Sequence, residues 1–384
     1  IYLTLFFHNS TGMHKKLSLL SITASHYRSR IYELIDKTFE CRFIFGVEDT
    51  SVKRMDTSIL HDVMNNKNIH ILHSPFYYQH HLLSQTAGYQ IIINDLGIFS
   101  LSSWILLFLS KIRRQHIFHW DHGWYGRESW IKRIIKRTYF CLADGAFIYG
   151  NYARNLMIQN GIPDEKLHVI HNSLDYDRQL KIRQSMVESD IFKRHFHNDR
   201  PVICFIGRLT RVKRLDLLLT ALHIMKTRGH VYNLVIIGDG KERQSVEDII
   251  TSYNMESQVW LYGACYDEIK NATLIYNSDL CVSPGNVGLT AIHAMMFGCP
   301  VITHRDFEWQ MPEFEAINEG ITGDFFEHDD VSSLSQAIIR WMTFNKDRRN
   351  TVREACFKET DEQWNPHIQL QTIEKAIDLL DSKG

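Results

Sequence analysis

Two cations follow the first apolar run of the C-terminal half of the sequence. Gly207 ends the run 202–206, and Arg208 and Lys213 lie five residues apart on the segment that follows. At the carboxyl end of a strand, the planar fork of an arginine and the point charge of a lysine suit a diphosphate. The alternative interpretation is a solvated basic loop, because Arg211 lies in the same segment.

A glycine-rich turn further along the chain is a second candidate for anion binding. Segment 284–290 has the sequence Pro-Gly-Asn-Val-Gly-Leu-Thr, follows an apolar run and opens a helix that the pattern predicts at 288–297. Its two glycines permit a ligand to approach the backbone, and the N–H groups at a helix start attract anions. Such turns are common in α/β proteins, so this turn alone is weak evidence.

A polar and aromatic segment lies at 116–126 in the N-terminal half, where another apolar run ends. His119 and His122 are three residues apart there, a spacing that two ligands of a metal can have. The sequence shows no third ligand, so a metal site is not predicted. A purely structural role for these histidines is the remaining alternative to a role at a ligand site.

Short apolar runs alternate with helical patterns and would place these residues together. In the C-terminal half the runs are 202–206, 234–237, 259–262, 280–282 and 300–303. The N-terminal half repeats the rhythm less regularly, with strands predicted at 17–22, 43–45, 69–72, 90–93, 116–118 and 145–149 and helices at 27–38, 100–112 and 128–142. Continuous apolar strands between helices predict parallel sheets covered on both faces. Two such domains in tandem would bind a ligand at the carboxyl ends of the strands.

Composition excludes several classes of protein. The 384 residues include 43 Lys+Arg and 44 Asp+Glu, a formal charge of −1, which argues against a protein that binds nucleic acid by bulk charge. The most apolar uncharged run, 96–110, is shorter than the roughly 20 residues of a spanning helix. Seven scattered cysteines without a Cys-x-x-Cys pair indicate buried thiols in a reducing compartment, by default the cytoplasm. Residues 1–12 are either an extension upstream of Met13 or contain a first strand, 1–7.

The order of the motifs identifies a family. Gly-Arg-Leu at 207–209 with Lys213 precedes Gly-Asp-Gly at 238–240, Gly-Leu at 288–289 and a Gly-x-Pro-Val ending at Val301. This series resembles the C-terminal, nucleotide-sugar-binding domain of family 4 (group 1) glycosyltransferases, which have the GT-B fold. The resemblance is detailed over residues 140–340 and loose before them. It implies an α/β fold of two Rossmann-like, doubly wound parallel-sheet domains with a cleft between them.

The resemblance also implies roles for individual residues. His122, Arg208 and Lys213 would be catalytic, with His122 facing the transferred sugar. The implied donor-binding residues are Gly207, Gly285, Asn286, Val287, Gly288, Leu289, Thr290, His293 and Glu313. The acceptor side is predicted to include His26, Tyr27, Arg28 and His119. No metal and no cofactor are expected; the nucleotide sugar is a co-substrate, with a UDP-sugar slightly favoured over a GDP-sugar.

The sequence departs from the family at one pair of positions. The family usually has two glutamates eight residues apart around the glycine turn, one for sugar hydroxyls and one for the ribose. Here these positions hold Gly285 and His293. An imidazole can hydrogen-bond a ribose hydroxyl, whereas a glycine has no side chain for a sugar. Glu313 and Glu315 are candidate replacement carboxylates, and Asn286 could supply part of the lost function.

Segment 111–137 is strongly basic, with eight basic residues against two acidic ones. Trp130, Ile131 and Ile134 interleave with its later cations, as in a helix that rests on an anionic membrane. The alternative is a helix with its apolar face in the core and a solvated basic face.

We predict an N-terminal acceptor-side domain at 1–174, a nucleotide-sugar-binding domain at 175–350 and terminal helices at 351–384 that return to the first domain. The polar stretch 176–200 is the expected passage between domains. The predicted function is transfer of a sugar from a nucleoside-diphosphate sugar to a glycan or lipid-linked acceptor in polysaccharide biosynthesis, with retention and without a metal. The protein is expected in the cytoplasm or on the inner face of the membrane. The alternatives are a non-catalytic GT-B subunit and a sugar-nucleotide epimerase.

Overall fold

The computed structural model describes residues 15–47, 53–71 and 74–381. The proposed extension 1–12 and the alternative first strand 1–7 lie outside the described residues. Two compact units form: the described part of Ile1–Trp120 with Thr138–Ala146, and Asp121–Arg137 with Phe147–Gly384 as far as it is described. The predicted domain boundaries differ from these units and stay a prediction.

The strands are short and mostly apolar. Their bounds are β1 (Lys16–Ser21), β2 (Glu40–Val47), β3 (Asp62–His70), β4 (Tyr77–Gln79), β5 (Ile91–Asp95), β6 (His116–Asp121), β7 (Gly145–Ile148), β8 (Leu167–Val169), β9 (Val202–Ile206), β10 (Asn233–Ile237), β11 (Val259–Gly263), β12 (Leu280–Val282), β13 (Val301–His304) and β14 (Gly323–Phe326).

The helices cover the sheets. Their bounds are α1 (Ser29–Thr38), α2 (Leu82–Gln85), α3 (Leu101–Arg113), α4 (Trp130–Leu142), α5 (Asn151–Gln159), α6 (Tyr176–Gln184), α7 (Ile191–Phe196), α8 (Leu215–Thr227), α9 (Arg243–Ser252), α10 (Glu268–Asn277), α11 (Thr290–Met296), α12 (Val331–Phe344), α13 (Arg349–Glu362) and α14 (Pro366–Asp381).

In the first unit the strand order is β4-β3-β2-β1-β5-β6. The pairs β1–β2, β1–β5, β2–β3 and β5–β6 are parallel, and β4 is antiparallel to β3. Strand β3 begins seven residues before its predicted start, in the polar stretch 62–68, because pairing with β2 outweighs the weak apolar signal there.

In the second unit the six strands β11-β10-β9-β12-β13-β14 form a parallel sheet. All five residues of β10 are buried, which agrees with a sheet covered on both faces. The carboxyl ends of β9 and β12 lie side by side because these strands pair directly. The loops after β9 and β12, which carry the two predicted anion-binding motifs, therefore meet at one edge.

Two segments outside this sheet bear on the sequence predictions: the predicted passage 176–200 and helix α14. The predicted passage 176–200 folds into α6 and α7, whose Phe192 and Phe196 join the core of the second unit. Helix α14 packs on β8, and Gln369 in it donates to His171 O over 2.8 Å. Pro366 begins α14, as the sequence indicates, because a helix start needs no N–H from its first residue.

Candidate functional site

The predicted cationic loop follows β9 in the second unit. Gly207 N donates to Ile237 O over 3.0 Å, and the loop then forms a 3-10 turn, Arg211–Lys213. Lys213 Nζ donates to Asn286 O over 2.6 Å and to Asn286 Oδ1 over 2.9 Å. The fold therefore joins the loop after β9 to the glycine-rich turn after β12, although the two residues are 73 positions apart.

The half-buried ammonium of Lys213 lies among other charges. Its pKa is lowered to about 8, chiefly because burial disfavours the charged amine; Glu313 raises the pKa and Arg208 lowers it. Lys213, Arg208 and Glu313 are thus within electrostatic range of one another. An anion bound here would stabilise the protonated amine and offset part of its desolvation.

Gly285 is required by a close approach between two backbones. A Cβ at this position would lie 1.8 Å from Val212 O and 2.9 Å from Lys213 Cα. Gly285 N also donates to Lys213 O over 3.2 Å. The loop that carries Lys213 consequently occupies the space that any larger side chain at 285 would need, and this is the local reason why a glutamate has no room there.

Gln310 holds the glycine-rich turn and was not predicted. Its Oε1 accepts from Val287 N over 2.9 Å, and its Nε2 donates to Thr303 Oγ1 over 2.8 Å. Thr303 Oγ1 in turn donates to Ser283 O over 2.8 Å and to Gly285 O over 3.2 Å. In the sequence, Gln310 is notable only because it lies close to the candidate carboxylates. That position does not reveal its contact with a turn 23 residues earlier.

The helix after the turn begins later than predicted. Helix α11 starts at Thr290 and has seven residues, whereas the pattern predicted a start at Gly288. Thr290 Oγ1 donates to Ile206 O over 3.0 Å, and the Val287 N–H is taken by Gln310. The Val287 N–H and the Thr290 hydroxyl therefore make contacts within the protein, and the donor-binding roles predicted for these two residues stay predictions.

Glu313 is buried beside Lys213. Only 2% of its surface is exposed, and burial raises the pKa of its carboxyl group. Asn172 Nδ2 donates to Glu313 Oε1 over 2.7 Å, whereas Oε2 has no hydrogen-bond partner in the part of the chain that the structure describes. Asn172 is a second residue of the site that the sequence did not assign.

Glu315, the other candidate replacement carboxylate, is a helix cap. Its Oε2 accepts from Asn151 N and its Oε1 from Tyr152 N, each over 2.7 Å, at the start of α5. A Cβ on Gly150 would lie 2.3 Å from Glu315 Oε1. The carboxylate fills the space above the N-terminus of α5, so the prediction that Glu315 replaces a sugar-binding glutamate is corrected.

His122 belongs to the second unit, on the loop after β6. The centroid of its ring lies 4.7 Å from that of Tyr149. With Tyr152, Phe307 and Gln310 it lines a small, largely aromatic cavity. Gln310, which holds the glycine-rich turn, therefore also lines the cavity that His122 lines.

The buried side chain of Lys136 holds the loop that carries His122 in place. Lys136 donates to Gly123 O and, over 3.1 Å, to Glu128 Oε1, and its ammonium lies 4.9 Å from the centre of the Trp124 ring. Glu128 Oε1 also accepts from Tyr125 N over 2.9 Å. Lys136 was predicted as part of a solvated or membrane-facing basic stretch, but it is an internal cation of this loop.

His293, predicted to contact the ribose, is on α11. Its Nε2 lies 2.9 Å from Glu268 Oε1, which also accepts from Gln179 Nε2 over 2.7 Å. A histidine and a glutamate thus lie side by side where the resemblance implies one glutamate. The contact with a ribose stays a prediction.

His119 is a core residue of the first unit. It is fully buried, its ring stacks on Tyr139 at 3.9 Å, and its Nε2 faces Tyr139 O at 3.2 Å. Burial lowers its pKa to about 3, so the ring is neutral. The prediction that His119 lines the acceptor side is corrected, because a ring sealed in the core cannot contact an acceptor.

The other acceptor-side candidates lie after β1 in the first unit. Arg28 is buried, donates to Asp95 and, over 3.2 Å, to Tyr32 Oη, and lies 5.3 Å from the Trp120 ring. These contacts make Arg28 a positioning residue at the carboxyl edge of the sheet. The neighbouring residues 26 and 27 retain exposed surface, and their role stays a prediction.

Among the residues that the structure describes, no group of three or more His, Cys, Asp or Glu side chains could hold a metal ion. No helix within the same residues is long and apolar enough to cross a membrane.

The sequence matches a glycosyltransferase family model and is similar to several curated proteins. Residues 186–356 match the family model described as glycosyl transferases group 1. Among curated relatives, the glycosyltransferase MJ1607 of Methanocaldococcus jannaschii is 31% identical over 146 residues, which cover 36% of this chain and 36% of that protein. The amylovoran biosynthesis glycosyltransferase AmsK of Erwinia amylovora is 23% identical over 233 residues, 58% of this chain and 53% of AmsK. The chain thus spans about a third and about half of these two relatives.

Solved structures show the fold. The crystal structure of Anabaena HepE in complex with UDP superposes with a TM-score of 0.71 at 16% identity, and covers 94% of this chain and 99% of that one. The two parallel-sheet α/β units therefore have the architecture of GT-B glycosyltransferases, and the predicted fold class is confirmed. The family number, and the replacement of its glutamate pair, stay predictions.

Proposed function

We propose that this protein is a glycosyltransferase that transfers a sugar from a nucleoside-diphosphate sugar to a saccharide acceptor. The observation that carries the proposal is the position of Lys213, which contacts the glycine-rich turn at Asn286 and lies in electrostatic range of Arg208 and Glu313. The match to the group 1 glycosyl transferase model over residues 186–356 and the GT-B fold support it.

In the proposed reaction, Arg208 and Lys213 bind the diphosphate and stabilise the charge that grows on it as it leaves. The bond from the anomeric carbon to the diphosphate breaks, and the bond to the acceptor oxygen forms on the same face of the sugar. The acceptor proton passes to an oxygen of the leaving phosphate, so that configuration is retained. Two protein cations supply the charge that a metal would otherwise contribute, and we propose a metal-independent, hexosyltransferase-type enzyme on that ground.

Glu313 and His122 complete the proposed donor site. Glu313 Oε2 is buried without a partner among the described residues, and it would accept a hydrogen bond from the donor sugar. Asn172 orients this carboxylate by its contact with Oε1. His122 lines the same cavity as Gln310 and would contact the transferred sugar, as the resemblance implies. The ribose would contact His293.

The finer assignments rest on analogy. Anabaena HepE was crystallised with UDP, which supports a UDP-sugar over a GDP-sugar for this chain. AmsK is a glycosyltransferase of amylovoran biosynthesis, which supports a glycan or lipid-linked acceptor in polysaccharide biosynthesis. We propose that the protein acts in the cytoplasm, on the evidence of seven cysteines that are free in the structure.

The first two turns of α4 support association with an anionic membrane. Trp130 is 71% exposed, and the apolar side chains that follow it are exposed too, namely those of Ile131, Ile134 and Ile135. The cations on the same turns are exposed, namely Lys132, Arg133 and Arg137. Exposed apolar and basic side chains in one short helix suit the surface of an anionic bilayer. Sedimentation with vesicles that contain or lack anionic lipid tests this part of the proposal.

A thermal-shift screen tests the donor site without knowledge of the acceptor. The purified protein is scanned with UDP, GDP and dTDP and with several of their sugars, since a ligand at a hundred times its Kd stabilises a fold by about 2.7 kcal/mol. We expect one nucleotide to raise the Tm selectively, and Arg208→Ala to abolish the rise. No shift with any of these ligands would contradict the proposed donor site.

One observation supports a second candidate function, a GT-B subunit without transfer activity. Gly285 has no room for the sugar-binding glutamate, and His293 stands at the other glutamate position. A binding subunit would show a nucleotide-dependent shift but neither transfer nor donor hydrolysis. A sugar-nucleotide epimerase, the third alternative, would convert the nucleotide sugar without an acceptor.

A further inference from the structure

Arg127 stacks on an exposed tryptophan next to the candidate site. Its guanidinium carbon lies 4.2 Å from the centre of the Trp309 ring and 5.2 Å from that of Tyr125. Trp309 remains 53% exposed, and Arg127 is exposed as well. Within the residues that the structure describes, Arg127 has no carboxylate at ion-pair distance.

The two loops meet because the residue before Arg127 is a glycine. Gly126 has φ +101°, and a Cβ there would lie 3.0 Å from Glu308 Oε1. The loop is also rigid, because Glu128 accepts from Tyr125 N over 2.9 Å and from Gly126 N over 3.0 Å. The backbone on the Arg127 side of the stacked pair is therefore fixed before any ligand arrives.

Stacking leaves the guanidinium free to bind in its plane. The guanidinium carbon lies over the indole, 4.2 Å from the ring centre, and a guanidinium placed in this way can still offer a fork of N–H groups that matches a carboxylate or a phosphate. The uncovered part of the indole offers a flat apolar surface to the ring of a sugar. An exposed aromatic face beside an unpaired, oriented guanidinium is suited to a sugar that carries an oxyanion.

The pair lies beside the proposed transfer site in the same unit. Trp309 precedes Gln310, which holds the glycine-rich turn, and Arg127 follows Tyr125, which lines the same cavity as His122. Glu308 lies next to Gly126 and brings a carboxylate to this surface, and its negative charge would disfavour a ligand with more than one anionic group.

We propose that Arg127 and Trp309 form an acceptor subsite that binds a sugar residue bearing an oxyanion, either a carboxylate or a phosphate. This inference rests on the proposed function, since it assigns the acceptor of that reaction to an acidic saccharide. The alternative explanation of the contact is a stabilising stack between two loops with no ligand.

The experiment uses the whole protein with its donor site filled by the nucleoside diphosphate that gives the largest thermal shift, so that anions do not enter that site. Saturation-transfer NMR titrations then compare methyl glucoside, methyl glucuronide and methyl glucoside 6-phosphate. We expect the wild type to bind one or both acidic probes about tenfold more tightly than the neutral glucoside, as hydrogen bonds to a charged group imply. The two acidic probes distinguish a carboxylate from a phosphate.

Two substitutions and a control distinguish a role in sugar binding from a role in stabilising the fold. Arg127→Gln should abolish the preference for the acidic probe, and Trp309→Ala should weaken all three sugars, each with unchanged Tm and unchanged nucleotide shift. The matched control is Arg348→Gln, which removes a guanidinium 4.9 Å from the Phe344 ring at another exposed stack and should leave the preference intact. Equal binding of acidic and neutral probes, or a preference that survives in Arg127→Gln, would overturn the subsite. A nucleotide shift that persists beside such a result would leave the proposed function standing, and its absence would remove both.

Discussion

The Nζ atom of Lys213 lies 2.6 Å from the carbonyl oxygen of Asn286 and 2.9 Å from its side-chain oxygen. This one ammonium group ties the loop after β9 to the turn after β12 and faces the charge of Arg208. The contact stabilises the edge of the sheet where a diphosphate is proposed to bind, and several consequences can be measured.

Replacement of Lys213 should weaken nucleotide binding. Lys213→Met keeps the apolar stem and removes the charge, and we expect diphosphate affinity to fall about tenfold to a hundredfold, since charge-assisted hydrogen bonds are lost. Isothermal titration with the nucleotide selected by thermal shift gives the measurement. Lys226→Met is the matched control, because Lys226 Nζ also donates to a backbone carbonyl, that of Asn254, over 3.0 Å. Equal affinities in the Lys213 variant and the wild type would remove Lys213 from the donor site.

Donor affinity should depend on pH through the same amine. Because the pKa of Lys213 is about 8 in the free protein and an anion binds its protonated form, affinity should be constant near pH 7 and decline above pH 8. Above pH 8 the affinity declines about tenfold per pH unit, until the pH reaches the pKa of Lys213 in the complex, which is higher than in the free protein. Titrations between pH 7 and 9.5 avoid the phosphate ionisation near pH ~6. Lys213→Met should show a flat profile, and a flat profile in the wild type would argue against the contact.

Gly285 should not tolerate a side chain. A Cβ would meet Val212 O at 1.8 Å, so Gly285→Ala should lower the free energy of unfolding by about 1–3 kcal/mol, as overpacking does elsewhere. Gly285→Glu should be at least as destabilising and should not increase activity. The control is Gly88→Ala, where nothing lies within 4 Å of the added carbon. Urea denaturation of the three variants gives the comparison, and a stable, more active Gly285→Glu protein would show that the loop after β9 can move away.

His122 should affect turnover more than donor binding. His122→Ala removes the ring that lines the cavity beside Gln310, and we expect kcat to fall about a hundredfold while nucleotide affinity stays within threefold. Transfer assays with the identified donor measure the first quantity and titration the second. His223→Ala, which removes another ring stacked at 4.2 Å on a tyrosine, should change neither. Unchanged turnover in His122→Ala would exclude His122 from the reaction.

Glu315 should act on stability alone. Glu315→Ala leaves the N–H groups of Asn151 and Tyr152 without their acceptor, so the free energy of unfolding should fall by about 1 kcal/mol, as for the loss of other helix caps. Nucleotide affinity should not change. Glu319→Ala, which breaks an exposed ion pair with Arg305, serves as the control with a smaller effect on stability. Loss of nucleotide binding with full stability would return Glu315 to the ligand site.

The alternation of apolar runs and helical stripes in the sequence is enough to predict the fold class. Buried parallel strands such as β10 must be apolar throughout, so their sequence shows them directly. The positions of Arg208, Lys213 and the glycine-rich turn also followed from the sequence, because motifs that end strands of one parallel sheet collect at one edge. The start of β3 did not follow, since pairing with β2 rather than local composition decides it.

Tertiary contacts decided which polar side chains belong to the site. Glu313 and Glu315 are the same residue type, two positions apart. Glu313 nevertheless lies beside Lys213, whereas Glu315 caps α5. Lys136 is one of several cations on its helix, and burial beneath the His122 loop alone distinguishes it. The sequence determined the elements and the residues at their ends, because periodicity and turn chemistry are local. Only the folded chain decided the partner of each buried charge, because desolvation and hydrogen bonding depend on neighbours that are distant in sequence.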